Sequence, residues 1–276
     1  MKRHSQETYQ CASRAAQALA SILDRSRYKT DNYAVLSAFA DLILVNRFGL
    51  NQNDSGTTET IACELAQQLL EAYDKALADL PPFTDILGPT YMHIQGSGAG
   101  KSLQEFYTPQ EVSRCMALMM VADDEFSEPA ITPANPISFC DPCVGSGAMP
   151  LAFLSVVLER HGPEALEKVC LYGQDLSYHG SRLYACQLLS NLAHYKLAVA
   201  EAVITQGNSL TMEQHRVLLH ATHRDAKPID PNSFDVSKSP QLRALAETTY
   251  SALEANGANL DELFRGGPVG ELQTEI

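Results

Sequence analysis

The 276-residue chain carries 20 Lys and Arg against 33 Asp and Glu, a formal net charge of −13, with 45% hydrophobic residues and 7 cysteines. No apolar run approaches the ~20 residues of a membrane-spanning helix, and the stretch Met1 to Glu7 is polar, so neither a span nor a secretory signal is predicted and a cytoplasmic protein is expected. An odd cysteine count without regular pairing fits a reducing compartment, and the acidic balance opposes a stand-alone nucleic-acid binder, whose affinity rests on neutralised phosphates.

From Ser5 to Leu80 the pattern is helical. Ala16, Leu19, Ala20 and Leu23 recur at three-to-four spacing. Asp31 is placed to cap a second helix through Phe48, with Gly49 at the left-handed position that ends helices. Thr57 to Thr60 opens a third, whose apolar face includes Ile61, Leu65, Leu69 and Ala76, and Pro81-Pro82 closes the block. Residues 1–82 are therefore expected to form a helical N-terminal subdomain. The basic residues Lys2, Arg3, Arg14, Arg25, Arg27 and Lys29 cluster here, most simply as a solvated helix face.

Residues 83–105 read as a linker. Gly96 to Ser102 imitates a phosphate-binding P-loop, but the spacing requires glycine at 95, where Gln95 stands. An α/β domain is expected over 106–250, and an acidic tail over 251–276. In Phe106-Tyr107-Thr108-Pro109-Gln110-Glu111, Thr108 at the cap, Pro109 at the first helical position and Glu111 spell a capping box. The helix that follows is expected to run through Met120 with Val112, Cys115, Met116 and Met119 inward, and the two aromatic rings ahead of it are placed to wall a pocket.

Phe139 to Asp141 reads as a buried strand ending in an acid, followed by Pro142-Cys143-Val144-Gly145-Ser146-Gly147 and an apolar helix from Ala148. Such a turn brings backbone N–H groups and a helix N-terminus to the carboxyl edge of a parallel sheet. Val169 to Asp175 reads as a second strand ending in an acid, Tyr178 to Tyr195 as a helix, and Ala202 to Asn208 as a third strand. This β-α-β-α-β order is half of a doubly wound sheet. Asp175, 28 residues beyond Gly147, is placed to accept hydrogen bonds from the ribose hydroxyls of an adenosine moiety.

Taken in order, five segments resemble the modification subunit of type I restriction systems, within the N-6 adenine DNA methyltransferase family. They are Asp85 to Tyr91, Phe106 to Pro109, Asp141 to Gly147, Tyr172 to Asp175 and Gly207 to Leu210. The resemblance implies a Rossmann-like S-adenosylmethionine-dependent methyltransferase fold behind the helical subdomain. It implies S-adenosylmethionine as cofactor: Phe106 and Thr108 facing its methionine end, Asp141, Pro142, Gly145 and Gly147 shaping the main loop, Asp175 on the ribose, and Asn208 by the adenine amino group. The family usually has aspartate at that last position; asparagine keeps an acceptor oxygen without the charge.

The family grips a flipped base with N-P-P-Y/F, which polarises the exocyclic amine and stacks on the ring. No N-P-P occurs in this sequence. The nearest counterpart is Ser239-Pro240-Gln241, after Phe234-Asp235-Val236, without the second proline or the aromatic. With 66 residues after Leu210, the sheet is expected to stop short in its C-terminal half, leaving an edge for a partner chain or a second copy. Three readings stay open: an adenine-N6 methyltransferase completed by another subunit, a cofactor-binding pseudoenzyme acting on restriction–modification subunits or DNA transactions, and a small-molecule methyltransferase.

No metal is expected. Cys140 and Cys143 have C-x-x-C spacing without a second ligand pair, and His215, His220 and His223 read as positions on a surface helix, with Thr211 to Ser233 a helix and loop.

Overall fold

The computed structural model describes residues 6–25, 32–50, 63–96, 107–122, 126, 128–211 and 213–222. Its helical block begins with α1 (Gln6–Arg25), which turns Ala12, Ala16, Leu19 and Leu23 into the core along one stripe. Helix α2 (Asn32–Phe48) is buried along most of its length and ends on Gly49, whose φ of 67° lets the chain leave the helix. Helix α3 (Cys63–Asp79) packs on α1 through Leu69, Tyr73 and Ala76, and α1 also holds α4 (Leu87–Gly96). Asp31, Thr57 to Ile61 and Gly98 to Ser102 lie outside the described residues, as do Phe106, Phe234 to Val236, Ser239 and Pro240.

A four-stranded sheet follows, in the order β1 (Ile137–Asp141), β2 (Val169–Asp175), β3 (Glu201–Asn208), β4 (Glu213–Thr222). The first three strands are parallel, and β4 returns antiparallel along the outer edge of β3. Helix α6 (Ala148–His161) and the single turn α7 (Pro163–Leu166) connect β1 to β2, and α8 (Tyr178–Tyr195) connects β2 to β3. Phe139, Leu171, Ala202, Ile204, Leu219 and Ala221 share one core with these helices and with the helical block. The other sheet face has a smaller cluster of Cys170, Tyr172 and Ala200 around Glu201, which accepts from the Tyr172 hydroxyl at 3.1 Å and lies 2.8 Å from His220 Nε2.

Three expectations change. The start of 211–233 is a strand rather than a helix, so His215 and His220 lie on β4. The edge of β3 takes up its own continuation as a hairpin, and burying Leu219 and Ala221 at period two outweighs the helical spacing read from the histidines. His223 lies outside the described residues. Helix α5 (Gln110–Met120) faces the other way: Ser113 and Ala117 are buried, whereas Val112, Cys115 and Met116 are exposed and Met119 is 83% exposed. The small side chains let α5 lie close against α6, and periodicity marks a stripe without saying which body it meets. The capping box also fails to form. Pro109, with ψ of 143°, is the cap, its carbonyl accepts from Val112 and Ser113, and no side chain caps the helix.

Helix α8 lies between sheet and helical block, buried on every side from Gly180 to Leu192. Its polar residues join the two layers. Arg182 pairs with Asp41 of α2, both 4% exposed, and His179 Nδ1 lies 2.5 Å from the Ser37 hydroxyl. Gln187 Oε1 accepts from the backbone of Ile86 and Leu87 at 2.7 and 3.0 Å, and Asn191 Oδ1 accepts from Phe83 at 2.6 Å. The Tyr195 hydroxyl meets the carbonyls of Leu77 and Leu80. Residues 83–96, linker-like by composition, are thereby a buried turn and α4. Replacing Gln187 by Leu keeps the volume but leaves two buried N–H groups unpaired, at about 1–3 kcal/mol each, and takes a donor from Asp85 and from the Ser146 carbonyl. Urea unfolding is expected to show a loss of about 3 kcal/mol with an unchanged m-value.

Candidate functional site at the carboxyl edge of the parallel strands

The three parallel strands end on one edge, placing Asp141, Asp175 and Asn208 at neighbouring strand ends. Between β1 and α6 runs the glycine loop, with Gly145 at φ 52° and Gly147 at φ 92°, values that L side chains rarely take. Packing adds a second demand. A Cβ on Gly145 would lie 3.0 Å from the Tyr107 ring, and one on Gly147 would lie 2.1 Å from Tyr184. Gly180, in the first turn of α8, is packed tightly on the loop, because a Cβ there would lie 3.3 Å from Gly145 Cα.

Most of the loop's N–H groups are engaged inside the protein. Cys143 N–H donates to Asp141 Oδ1 at 3.0 Å, Val144 N–H to the Gln174 carbonyl at 2.9 Å, Gly145 N–H to Asp175 Oδ2 at 2.7 Å and Gly147 N–H to the Val144 carbonyl at 2.8 Å. A phosphate cradle requires such donors free and a positive field. Here they are satisfied, and two carboxylates stand beside them. Burial, followed by the charge of Asp175, pushes the Asp141 carboxyl above its ordinary value, partly offset by the Cys143 N–H. The edge therefore disfavours a pyrophosphate and suits a ligand with a hydroxyl pair and positive charge.

Asp175 is part-buried and accepts two backbone donors, Gly145 on one oxygen and Ser177 on the other at 2.8 Å. A carboxylate has about four lone-pair sites, so half of its capacity remains for a ligand. Asn208 differs from expectation. Its Oδ1 accepts from Leu210 and Thr211 at 3.0 and 3.3 Å, an Asx turn that fills the oxygen and leaves only the amide N–H groups to face a ligand. Thr108 is half-buried beside Tyr107, whose ring rests on Gly145 and lies 4.9 Å from that of Tyr91.

Four participants, Tyr184, Ser209, Leu176 and Leu210, are not singled out by sequence reasoning, and Tyr107 joins them as one of the two rings expected to wall the pocket. Tyr107 covers the loop and Tyr184 underlies it. Ser209 donates to the Pro142 carbonyl and accepts from Gln174 at 3.0 Å, sewing the β3 turn to the β1 loop. Leu176 and Leu210, directly after Asp175 and Ser209, are 63% and 95% exposed, placing apolar surface at the polar edge. Their signal was available as an apolar residue just past each strand end. Cys140 and Cys143 are exposed, and among the described residues no group of three or more His, Cys, Asp or Glu is arranged to hold a metal.

A glycine loop and an acidic rim at the carboxyl edge of a parallel α/β sheet are what fold and geometry define. The family model for N-6 DNA Methylase matches residues 83–236, and the chain belongs to that family. It is also 25% identical over 178 residues to the methylase subunit of the type I restriction enzyme MpnII of Mycoplasma pneumoniae, covering 62% of this chain and 29% of that protein. The chain thus spans less than a third of that relative's length. No solved structure matches. Members of the family generally use S-adenosylmethionine. Among the described residues no helix is long and apolar enough to cross a membrane.

Two measurements check the loop. Gly147→Ala combines the backbone strain of a positive φ, about 1–2 kcal/mol, with overlap on Tyr184, whereas Gly49→Ala meets open space at a similar φ. Thermal unfolding is expected to show the first variant clearly less stable than the second. The Asp141 carboxyl, raised in the folded protein above its ordinary 3.8, binds its proton more tightly folded than unfolded. Its ionised form thus costs stability at neutral pH, and that cost vanishes as pH falls through the folded pKa. Asp141→Asn, which keeps an acceptor for Cys143, is expected to gain stability relative to wild type at pH ~7.5 and lose that advantage near pH ~4 in paired urea titrations.

Proposed function

We propose that this chain binds S-adenosylmethionine at the carboxyl edge of β1, β2 and β3, and serves DNA modification or restriction as a cofactor-holding unit without its own base-gripping loop. The observation that carries this reading is the glycine loop whose N–H groups are engaged internally beside Asp141 and Asp175. The donor set fits the cofactor: carboxylate oxygens for the ribose diol, negative charge for the sulfonium and ammonium groups, and no demand for phosphate. The remaining lone pairs of Asp175 accept the ribose hydroxyls, and the Asn208 amide donates to a ring nitrogen of the adenine. Leu176 and Leu210 supply apolar surface for the base. Asp141, Pro142, Gly145 and Gly147 shape the loop, with Phe106 and Thr108 on the methionine side. When bound, the cofactor supplies an electrophilic methyl group on sulfur.

Transfer to an adenine amine needs an acceptor that polarises the N–H bonds and a ring that stacks on the flipped base. Ser239-Pro240-Gln241 offers a hydroxyl and one proline carbonyl but no ring. Loss of an aromatic stack costs on the order of 1–3 kcal/mol per base in single-strand binders. A loop that grips and stacks on the base therefore comes from a partner, a restriction–modification subunit that carries one.

Calorimetric titration with S-adenosylmethionine and transfer of labelled methyl to duplex DNA test the two halves separately. Wild type is expected to bind without transferring. Asp175→Ala is expected to weaken binding by on the order of tenfold or more, the scale of charge-assisted hydrogen bonds. Absence of binding by wild type would sink the cofactor assignment, and transfer by the chain alone would sink the loss of catalysis. Ser239→Asn, Gln241→Pro and Leu242→Phe together test whether the loop is the lesion.

A further inference from the structure

We propose that Asp85 is a positioning residue for the glycine loop, acting through the Ser146 hydroxyl to hold that loop in its ligand-accepting conformation. The inference rests on the cofactor reading above for what the loop accepts, but the junction itself is visible in the fold. Asp85 and Ser146 are 4% and 1% exposed, so the contact is shut off from solvent. Ser146 Oγ donates to Asp85 Oδ2 at 3.2 Å across 61 residues of sequence. The other carboxylate oxygen accepts from Gly88 N–H at 2.9 Å and Gln187 Nε2 at 2.7 Å, and Gln187 Nε2 also donates to the Ser146 carbonyl at 2.9 Å. Both ends of Ser146 are thus tied to the same pair of residues.

Gly88 makes the meeting possible. A Cβ there would lie 2.4 Å from both Asp85 Oδ2 and Ser146 Oγ. The segment presenting Asp85 is itself held in an unfavourable conformation: Phe83 has φ of 61°, with its N–H fixed by Asn191. Gln110 at the start of α5 donates to the Asp85 carbonyl, so the helix following the Tyr107 segment is anchored at the same point. A buried carboxylate pays heavily in lost hydration, and burial pushes the Asp85 carboxyl above its ordinary value. An apolar residue packs more cheaply, whereas a carboxylate adds direction, fixing Ser146 away from the edge while Gly145 and Gly147 keep their positive φ. The loop then offers a ligand its shape, with the hydroxyl withheld.

The test reads the loop and the ligand independently. Ser146→Ala deletes the hydroxyl and leaves Asp85 its two other donors. Asp85→Asn keeps the acceptor for Gly88 and Gln187 and turns an amide N–H toward Ser146 Oγ, preserving a hydrogen bond with its direction reversed. Hydrogen exchange without ligand is followed at Gly145, Ser146 and Gly147, and affinity is titrated with S-adenosylhomocysteine, well below the melting temperature.

Ser146→Ala is expected to speed exchange at the loop alone, weaken the probe by on the order of tenfold, and move the melting temperature by no more than about 4 °C. Asp85→Asn is expected to stay within about threefold of wild type in affinity. Unchanged loop exchange and affinity in Ser146→Ala would overturn the proposal, as would loosened exchange throughout the protein with affinity intact. Should wild type fail to bind while Ser146→Ala still loosens the loop, the cofactor reading falls and the Asp85–Ser146 junction stands.

Discussion

Everything at the carboxyl edge depends on the seating of α8. A helix buried on all sides has no solvent face on which to place polar residues, so its polar side chains rely on partners within the protein. Arg182, Gln187, Asn191 and Tyr195 find theirs in α2, the Phe83 to Leu87 turn and the end of α3. Apolar packing alone would allow the helical block to slide over the sheet, because burial of area is non-directional. Hydrogen bonds to named backbone groups fix its register.

That register reaches the site through Gln187, which touches the Asp85 turn and the Ser146 carbonyl together. Tyr184, one turn earlier on α8, fills the space beneath Gly147 and beside Gly173. The glycine loop is therefore shaped from below by α8, from above by Tyr107, and laterally by Asp175. Most of its backbone donors are consumed in this arrangement, and the charge beside them is negative. The internal engagement of the loop thus argues against the phosphate cradle that a glycine-rich sequence would equally suggest.

Strand ends and the glycine turn were legible because each has a short-range physical cause. β2, buried on both faces, reads as a continuous apolar run, and the acid that ends it meets the edge where the sheet opens. Gly145 and Gly147 occupy backbone regions closed to other residues. The face of α5 was misread because its apolar stripe and its small-residue stripe are both periodic, and only the approach of α6 selects the second. Asn208 spends its oxygen on a turn with Leu210 and Thr211, a local arrangement that Asn favours and that the reading of the third strand passed over.

The sequence by itself determined the family, the order of strands and helices around the acidic turn, and the absence of an N-P-P motif, since these follow from residue identity and spacing. Tertiary structure decided which donors remain for a ligand, that β4 returns antiparallel, and that a carboxylate at Asp85 meets a hydroxyl at Ser146. These depend on groups distant in the chain competing for the same hydrogen bonds and the same volume, which no local pattern records.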